Sequence, residues 1–433
     1  MKHLVRIITF LCQLLVGFTF VLSGLSKVID PIGTSIKLNE YFMHFGLQFL
    51  SNWSLLVAWI IAIGEFVLGF YMAIGFRRKL TLRVISFVMA IFTPLTLYLA
   101  LKNPVDDCGC FGDVIVLSNW QTFAKNLVIS AMIVWLIYHK RYTIRMLGRA
   151  AFTFYIYGVI AVAITLAAIG TWRLPYIDFR PFRPGVDLHT VLTSAEVSSD
   201  YYCIYERGNE RKKFHLDSIP DESENWVFVE VCEPENTASP EDAGKEQFAD
   251  LNFYALNIEN EDVTKEIIEQ EGYTLLLLSP NLREASEHYI DRIEILYEYA
   301  IENNYKFYCL TLNDSTAIEQ WRLRTGAEYE MLFSDAAIIE TMIRSNPGFM
   351  LLKDGVVLWK SHLADIDIEG LTSAKLSEHS LGQINPINRK NRVFWIILWL
   401  VAPLIVYLPL QVVKNFLLNK INKKKNEKEN RCR

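Results

Sequence analysis

Six long apolar runs constrain this chain more than any other feature. They extend roughly from Leu4 to Leu25, Leu55 to Phe76, Val84 to Leu101, Trp120 to Tyr138, Phe152 to Trp172 and Val393 to Val413. Each is close to the ~20 residues a helix needs to cross a ~30 Å hydrocarbon layer, so six membrane spans are expected. The first run follows Lys2 and Arg6 as a secretory signal would. No small-residue cleavage site follows it, however, and Lys27-Val28-Ile29-Asp30-Pro31 reads as a helix exit, so it is taken as a retained span. With 52% hydrophobic residues, a disordered chain is excluded, and seven cysteines in 433 residues exclude a disulfide-dense miniprotein. A net charge of −5 argues against a nucleic-acid partner, which requires a basic footprint.

Charge placement then orients the spans. Lys2 and Arg6, the short loops with Arg77, Arg78, Lys79, Arg83 and with Lys140, Arg141, Arg145, Arg149, and the tail from Lys414 to Arg433 together carry eighteen basic residues against Glu427 and Glu429. By the positive-inside rule both termini are expected in the cytoplasm. Residues 173–392 hold forty acidic and twenty-one basic side chains and are expected on the other side, in the periplasm of a cell with an inner membrane. The outward side then receives Ser26 to Ser54, Lys102 to Asn119 and one large domain. Five cysteines lie there, Cys108, Cys110, Cys203, Cys232 and Cys309, in a compartment that permits disulfides.

The most informative stretch is Asp106-Asp107-Cys108-Gly109-Cys110-Phe111-Gly112-Asp113, between the third and fourth spans. Two cysteines flanking one glycine can close a small, strained disulfide ring, and strain makes a disulfide easier to reduce. Cys108 and Cys110 are therefore a candidate redox pair. Two other readings stay open: each cysteine simply packs at the membrane surface, or both bind metal with borrowed ligands. Metal is the weaker of these, because a closed zinc site needs about four ligands and the neighbours are hard carboxylates.

Glu65 is the second feature, a carboxylate near the middle of the second span, where it costs at least ~2.5 kcal/mol to insert. It must face the bundle interior, be protonated or have a partner; it is either a proton- or quinone-handling group or a polar clasp between helices. Lys27, at the outer end of the first span, is a further candidate, although lysines at helix ends commonly snorkel to the interface.

Ser23-Gly24-Leu25-Ser26-Lys27, Gly64-Glu65-Phe66-Val67-Leu68-Gly69 and Cys108-Gly109-Cys110-Phe111-Gly112 together resemble the DoxX/MauE family of four-helix membrane proteins over about the first 140 residues, with the cysteine loop most like the MauE branch. The resemblance implies thiol or sulfur redox chemistry at the membrane, quinone-linked in one branch and, in the MauE branch, tied to methylamine utilisation. It implies that Cys108 and Cys110 are redox groups, that Glu65 and Lys27 belong to the shared bundle, and that a quinone is a possible cofactor. Methylamine does not follow, because a scaffold does not determine a substrate.

The polar part reads as two pieces, a β-rich segment over 173–272 and a second domain over 273–380. In the first, Tyr202 to Leu216 reads as two strands around Gly208-Asn209, and Trp226 to Val231 as a third. Cys203 and Cys232 lie on or just after these strands and either bridge or remain separate buried thiols. Glu233 to Gly244 looks like a solvated loop. In the second, strands over Tyr273 to Leu278 and Lys306 to Leu312, helices over Leu282 to Asn303, Ser315 to Arg324 and Asp335 to Arg344, and a hairpin turning at Asp354-Gly355 give a β-α-β-α-β-β-α order that resembles the thioredoxin fold. Pro347 stands at that fold's cis-proline position. Where thioredoxins carry Cys-x-x-Cys this chain has Ser279-Pro280-Asn281-Leu282, so the domain is expected to lack dithiol exchange of its own, Cys309 to be a core residue, and the groove beside Pro347 to bind peptides.

The expected fold class is thus a polytopic α-helical membrane protein with an extracytoplasmic α/β domain. A single fifth span at 150–172 and a sixth at 393–413 flank that domain, and 414–433 forms a basic tail. The leading functional reading is thiol/disulfide or quinone-linked redox handling, or maturation of a periplasmic client protein, with the lipid bilayer as the other partner. The rival is a non-catalytic membrane scaffold with structural cysteines. A transporter is a third reading: Pro94, Pro403 and Pro409 interrupt spans, but no repeated half is visible.

Overall fold

The structure is a computed structural model that describes residues 2–103, 108–144, 149–190, 202–207, 210–215, 227–232 and 253–379, with 382, 392, 394–396 and 398–399. It divides into two compact units, Met1–Asp178 with Ile387–Arg433, and Phe179–Pro386.

The first unit is helical: α1 (Lys2–Ile29), α2 (Pro31–His44), α3 (Ser54–Ile74), α4 (Arg78–Lys102), α5 (Asn119–Tyr138) and α6 (Arg149–Trp172). Among the described residues five stretches are long and apolar enough to cross a membrane: Lys2–Ile29, Gln48–Ile74, Arg78–Lys102, Asn119–Tyr138 and Tyr155–Trp172. The sixth expected span, Val393 to Val413, lies almost wholly outside the described residues, as do the basic tail, Cys432, Asp106 and Asp107. α4 runs through Pro94 without a break.

Val16 and Phe20 of α1, Met72 of α3, Leu82, Ile85 and Met89 of α4 and Ile129, Ile133 and Leu136 of α5 bury one another in a single core. The outer faces stay apolar, with Phe18 64% and Phe87 67% exposed, as a lipid-facing bundle requires. α1 and α3 pack antiparallel and very closely. A Cβ on Gly24 would stand 2.2 Å from the Phe66 backbone nitrogen, and one on Gly69 2.4 Å from that of Val21. Without a hydrophobic drive between helices in lipid, such small-residue contacts are how backbones come together.

α2 is an element that the sequence reading did not anticipate. Asp30-Pro31 ends α1, as expected, and also opens the next helix. The Asp30 carboxylate caps Gly33 N at 2.9 Å and Pro31 occupies the first turn, where its missing N–H costs nothing.

In the second unit β1 (Tyr202–Arg207) pairs antiparallel with β2 (Glu210–His215) and with β3 (Val227–Cys232). The register sets Cys203 opposite Val231 and Cys232 opposite Tyr202, so the two cysteines are not cross-strand partners. The expected loop Glu233 to Gly244 lies outside the described residues.

The larger sheet has the order β6-β5-β4-β7-β8, formed by β4 (Tyr273–Ser279), β5 (Lys306–Thr311), β6 (Glu330–Phe333), β7 (Gly348–Lys353) and β8 (Val356–His362). β4, β5 and β6 run parallel, while β7 runs antiparallel to β4 and β8 to β7. This is a thioredoxin-like arrangement. All seven residues of β4 are buried, as expected of a central strand covered on both faces. Asp354 and Gly355 turn the β7–β8 hairpin with φ of +48° and +76°.

Two expectations need correction. The four-residue edge strand β6 was not foreseen, being too short to show a period. The helix expected over Leu282 to Asn303 covers only Ile290–Glu302, after a single 3-10 turn. Residues 280–286 are instead held as a loop: Asn281 Oδ1 accepts from Arg283 N at 3.0 Å, and Arg283 reaches Asp314 at 2.7 Å. Local side-chain bonds of this kind compete with helix formation.

Candidate functional site

Ser23 and Lys27 lie four residues apart and so share one face of α1. The close contact at Gly24 and Phe66 brings that face against Glu65 of α3. Lys27 Nζ donates to Glu65 Oε2 at 2.6 Å and to Ser23 Oγ at 2.8 Å, and Ser23 Oγ donates to the same carboxylate at 2.7 Å. Lys27 therefore does not snorkel. Only 9% of its side chain and 13% of that of Glu65 are exposed, and a buried pair this short with an extra hydroxyl answers the desolvation that either charge alone would suffer.

The polar triad holds the cysteine loop. Lys27 Nζ donates to the Cys110 carbonyl at 2.9 Å, Ser23 Oγ lies 2.6 Å from the same carbonyl and shares its one proton between it and Glu65, and Tyr41 Oη of α2 donates to the Cys108 carbonyl at 3.1 Å. At the base of the loop Asn119 Nδ2 donates to Asn103 Oδ1 at 2.7 Å. Ser118 and Gln121 form a reciprocal cap on the first turn of α5. Gly109 has φ of +62°, the left-handed backbone open chiefly to glycine, and this folds the two cysteines toward each other. Their sulfurs lie 2.9 Å apart, and both cysteines are unbridged and half-buried.

The two thiols do not hold their protons alike. The Cys108 thiol donates to Cys110 and lowers its pKa to about 6, against the effect of burial, with Lys125 and Lys27 adding attraction. The same bond, together with burial, pushes Cys108 far up. The shared thiol bond and the two ammonium groups thus favour the thiolate form at Cys110 over Cys108. A lowered pKa next to cations is the environment of a reactive cysteine.

Beside the pair is a cavity of about 260 Å³, walled by α1, α2, α3, α4, α5 and the cysteine loop. Ser23, Lys27, Glu65, Cys108 and Cys110 all line it. Its other walls are mainly aromatic and aliphatic, among them Phe20, Phe42, Phe45 and Phe92.

Of the sequence candidates, the structure gathers Cys108, Cys110, Glu65 and Lys27 in one place. Pro347, in the other unit, belongs to a different locus. Its bond to Asn346 is cis. There Ser279 Oγ donates to Asn346 Oδ1 at 2.6 Å, Asn346 Nδ2 to the Asn281 carbonyl at 2.7 Å, and Ser286 N to the Asn346 carbonyl at 3.1 Å. Cys309 is fully buried in the core of this unit and its thiol is pushed up to about 12 by burial. Among the described residues no group of three or more His, Cys, Asp or Glu could hold a metal.

Sequence reasoning missed Lys125 and Tyr41. Lys125 lines the cavity and stands 4.2 Å over the Phe111 ring. A cation seven residues into an apolar span is the same kind of signal that picked out Glu65. Tyr41 gave none, because α2 itself was not foreseen.

Comparison with known proteins agrees with the bundle. Residues 5–139 match the family described as methylamine utilisation protein MauE. Among curated proteins none matches the chain. Among solved structures, a provisionally assigned protein disulfide isomerase from Bacteroides thetaiotaomicron, determined in solution, aligns at 12% identity over 28% of this chain and 81% of that one, with a TM-score of 0.23. A likeness that loose carries no weight, and the thioredoxin-like description rests on the strand order and directions above.

Proposed function

We propose that this membrane protein, with its MauE-type bundle, is a thiol–disulfide redox component in which Cys108 and Cys110 alternate between dithiol and disulfide. The observation that carries the reading is a pair of sulfurs at 2.9 Å whose backbone carbonyl is pinned by a buried Lys27–Glu65–Ser23 triad. Burying an ion pair in lipid to hold a loop is a costly device for a merely structural turn. It fits a loop that must keep its geometry while its sulfurs gain and lose protons.

In the forward direction the Cys110 thiolate attacks a disulfide of a client protein, forming a mixed disulfide and releasing one client thiolate. Cys108 then gives up its proton and attacks Cys110, the client's second thiolate leaves, and the bundle holds the disulfide. The client leaves as dithiol, and the same steps in reverse oxidise it. With the positive-inside rule placing the loop and residues 173–392 outside the cytoplasm, the client is a periplasmic protein and the membrane the inner one. The thioredoxin-like domain, lacking a cysteine pair beside Pro347, serves recognition.

The test is alkylation trapping in intact cells. Cys108 and Cys110 are expected to shift between alkylated and protected forms with external reductant and oxidant, and the Cys108→Ser variant to accumulate mixed disulfides through Cys110. A pair that stays in one state under both treatments, with no mixed disulfide in the variant, would leave the scaffold reading.

A further inference from the structure

We infer that the groove between the helices Ile290–Glu302 and Ser315–Thr325 of the second unit binds a basic, apolar-flanked segment of a partner protein. The site is separate from the cysteine chemistry above, because none of its walls belongs to the bundle or to the cluster around Pro347.

A cavity of about 280 Å³ lies between the two helices, with the buried Trp321 and Tyr329 at its floor. The first helix lines it with Ile290, Ile293, Glu294, Tyr297, Glu298 and Ile301, one continuous face at steps of three and four residues. From Ile290 to Ile301 that face runs about 16 Å at 1.5 Å per residue, the reach of about five extended residues. A groove of this length suits a stretch of chain rather than a single small ion.

Its charge selects the stretch. Glu294 and Glu298 stand one turn apart on the first helix, and Glu328 lines the same groove from the segment that follows the second. All three are exposed, none forms an ion pair or side-chain hydrogen bond among the described residues, and no cation lines the groove. Like charges one turn apart repel, so an ammonium or guanidinium brought between them relieves a cost the free helix carries. The second helix also ends here, at Gly326 with φ of +71°, and a helix C-terminus favours positive charge. Of the cations in its last turn, Arg324 is held by Glu287. Arg322 acts on Tyr329 by its charge but lines none of the groove.

The floor adds an unused donor. Tyr329 is 4% exposed and its hydroxyl accepts from Trp321 Nε1 at 2.9 Å, while its own proton has no acceptor among the described residues. A buried donor requires a partner, and a backbone carbonyl of a bound segment supplies one. Tyr297 packs edge-on against Tyr329 at 5.6 Å and offers a half-buried ring to a cation. At the far end Ile301 is 57% exposed, an apolar contact for the residue beside that cation. The occupant is therefore a segment with Arg or Lys between apolar residues, carried by a protein on this domain's side of the membrane.

The experiment uses full-length protein in nanodiscs of zwitterionic lipid, with empty nanodiscs as the blank. Binding of the fluorescein-labelled peptide Ala-Leu-Arg-Leu-Lys-Leu-Ala is read by anisotropy. The wild type is expected to bind it, to lose affinity as salt rises, and to ignore Ala-Leu-Glu-Leu-Glu-Leu-Ala. Glu294→Gln combined with Glu298→Gln should weaken binding about tenfold. The charge-matched pair Glu269→Gln with Glu319→Gln, exposed but outside the groove, should leave it unchanged. If both pairs weaken binding alike, the peptide follows the net charge of the domain and the groove is overturned. If spermidine displaces the peptide at equal concentration, the site takes a small amine and the partner segment falls. If the wild type binds neither peptide, the inference fails, while the redox reading, tested by trapping at Cys108 and Cys110, is untouched.

Discussion

The bundle and the thioredoxin-like sheet each enclose a cysteine, and they treat it in opposite ways. Cys309 lies on β5 among Leu275, Tyr329, Met331 and other apolar neighbours, and burial alone sets its behaviour, raising its pKa to about 12. Cys110 is half-buried, and a second thiol donates to it while two ammonium groups lie nearby, so its pKa falls to about 6. The thioredoxin-like sheet therefore holds the sulfur that keeps its proton, and the membrane bundle holds the one whose thiolate form is favoured. Reactivity follows the donors and charges around a sulfur rather than the architecture that carries it.

The largest expected effect tests this contrast directly. At pH 8 a thiol of pKa near 6 is almost wholly thiolate, while one near 12 is ionised to about one part in ten thousand. In native reduced protein, iodoacetamide should modify Cys110 at least about tenfold faster than Cys309, as read by mass spectrometry of digests, because the lower nucleophilicity of a low-pKa thiolate offsets only part of its larger thiolate fraction. Because the Cys110 pKa is lowered, its labelling should be on a plateau above pH 7 and fall as the pH drops through about 6. Comparable rates at the two positions without denaturant would dissolve the comparison.

The second effect concerns what each region spends its polar groups on. In the bundle, Glu65→Leu leaves Lys27 buried without its carboxylate, and breaking such a pair costs about 3–5 kcal/mol. Thermal unfolding of the solubilised protein should show a large fall. Lys27→Met combined with Glu65→Leu should recover most of the stability, because an apolar replacement of both partners removes the unpaired charge. Redox cycling of Cys108 and Cys110 should stay impaired in the double variant. A double variant that cycles normally would reduce the triad to a clasp.

In the sheet domain the matching polar cluster is Ser279, Asn281 and Asn346 beside Pro347. Asn346→Ala removes two side-chain hydrogen bonds and strands the Asn281 carbonyl and the Ser279 hydroxyl, a loss of about 1–3 kcal/mol. Protease resistance of residues 253–379 in the full-length chain should drop, and the labelling profile of Cys110 should not move. A shift in that profile would mean that the regions are coupled more tightly than their separate chemistries suggest.

How much of this was legible in the sequence differs between the regions for a physical reason. Long apolar runs announce spans because the bilayer imposes length, and five of the six expected spans are seen in the described residues. The alternation of strand and helix in the second domain likewise carried through, including the cis proline and the Asp354-Gly355 turn. The shortfalls were local. β6 has four residues, too few for a period, and residues 280–286 are claimed by Asx and side-chain bonds that a helical pattern cannot reveal. In the site, Cys108, Cys110 and Glu65 stood out because each is chemically unusual in its setting. Their being neighbours could not be read, since it depends on Gly24 and Gly69 letting two helices touch and on Gly109 turning the loop inward. Tyr41 was hidden altogether, because its role exists only once α2 folds back over that loop.

Tyr41 gives the smallest and sharpest difference. Its hydroxyl donates to the Cys108 carbonyl at 3.1 Å, while the Cys309 segment is held by strand pairing on both sides. Tyr41→Phe keeps the ring in the cavity wall and removes only that donor, a change of about 0.5–1.5 kcal/mol. The triad still holds the Cys110 carbonyl, so the loop should loosen at Cys108 and remain anchored at Cys110. Alkylation at Cys108 should then rise by a few-fold while Cys110 keeps its pH midpoint and Cys309 stays silent. If both cysteines of the loop gain reactivity together, the anchoring by Lys27 and Ser23 is weaker than their short bonds to the Cys110 carbonyl imply, and α2 rather than the triad holds the pair in place.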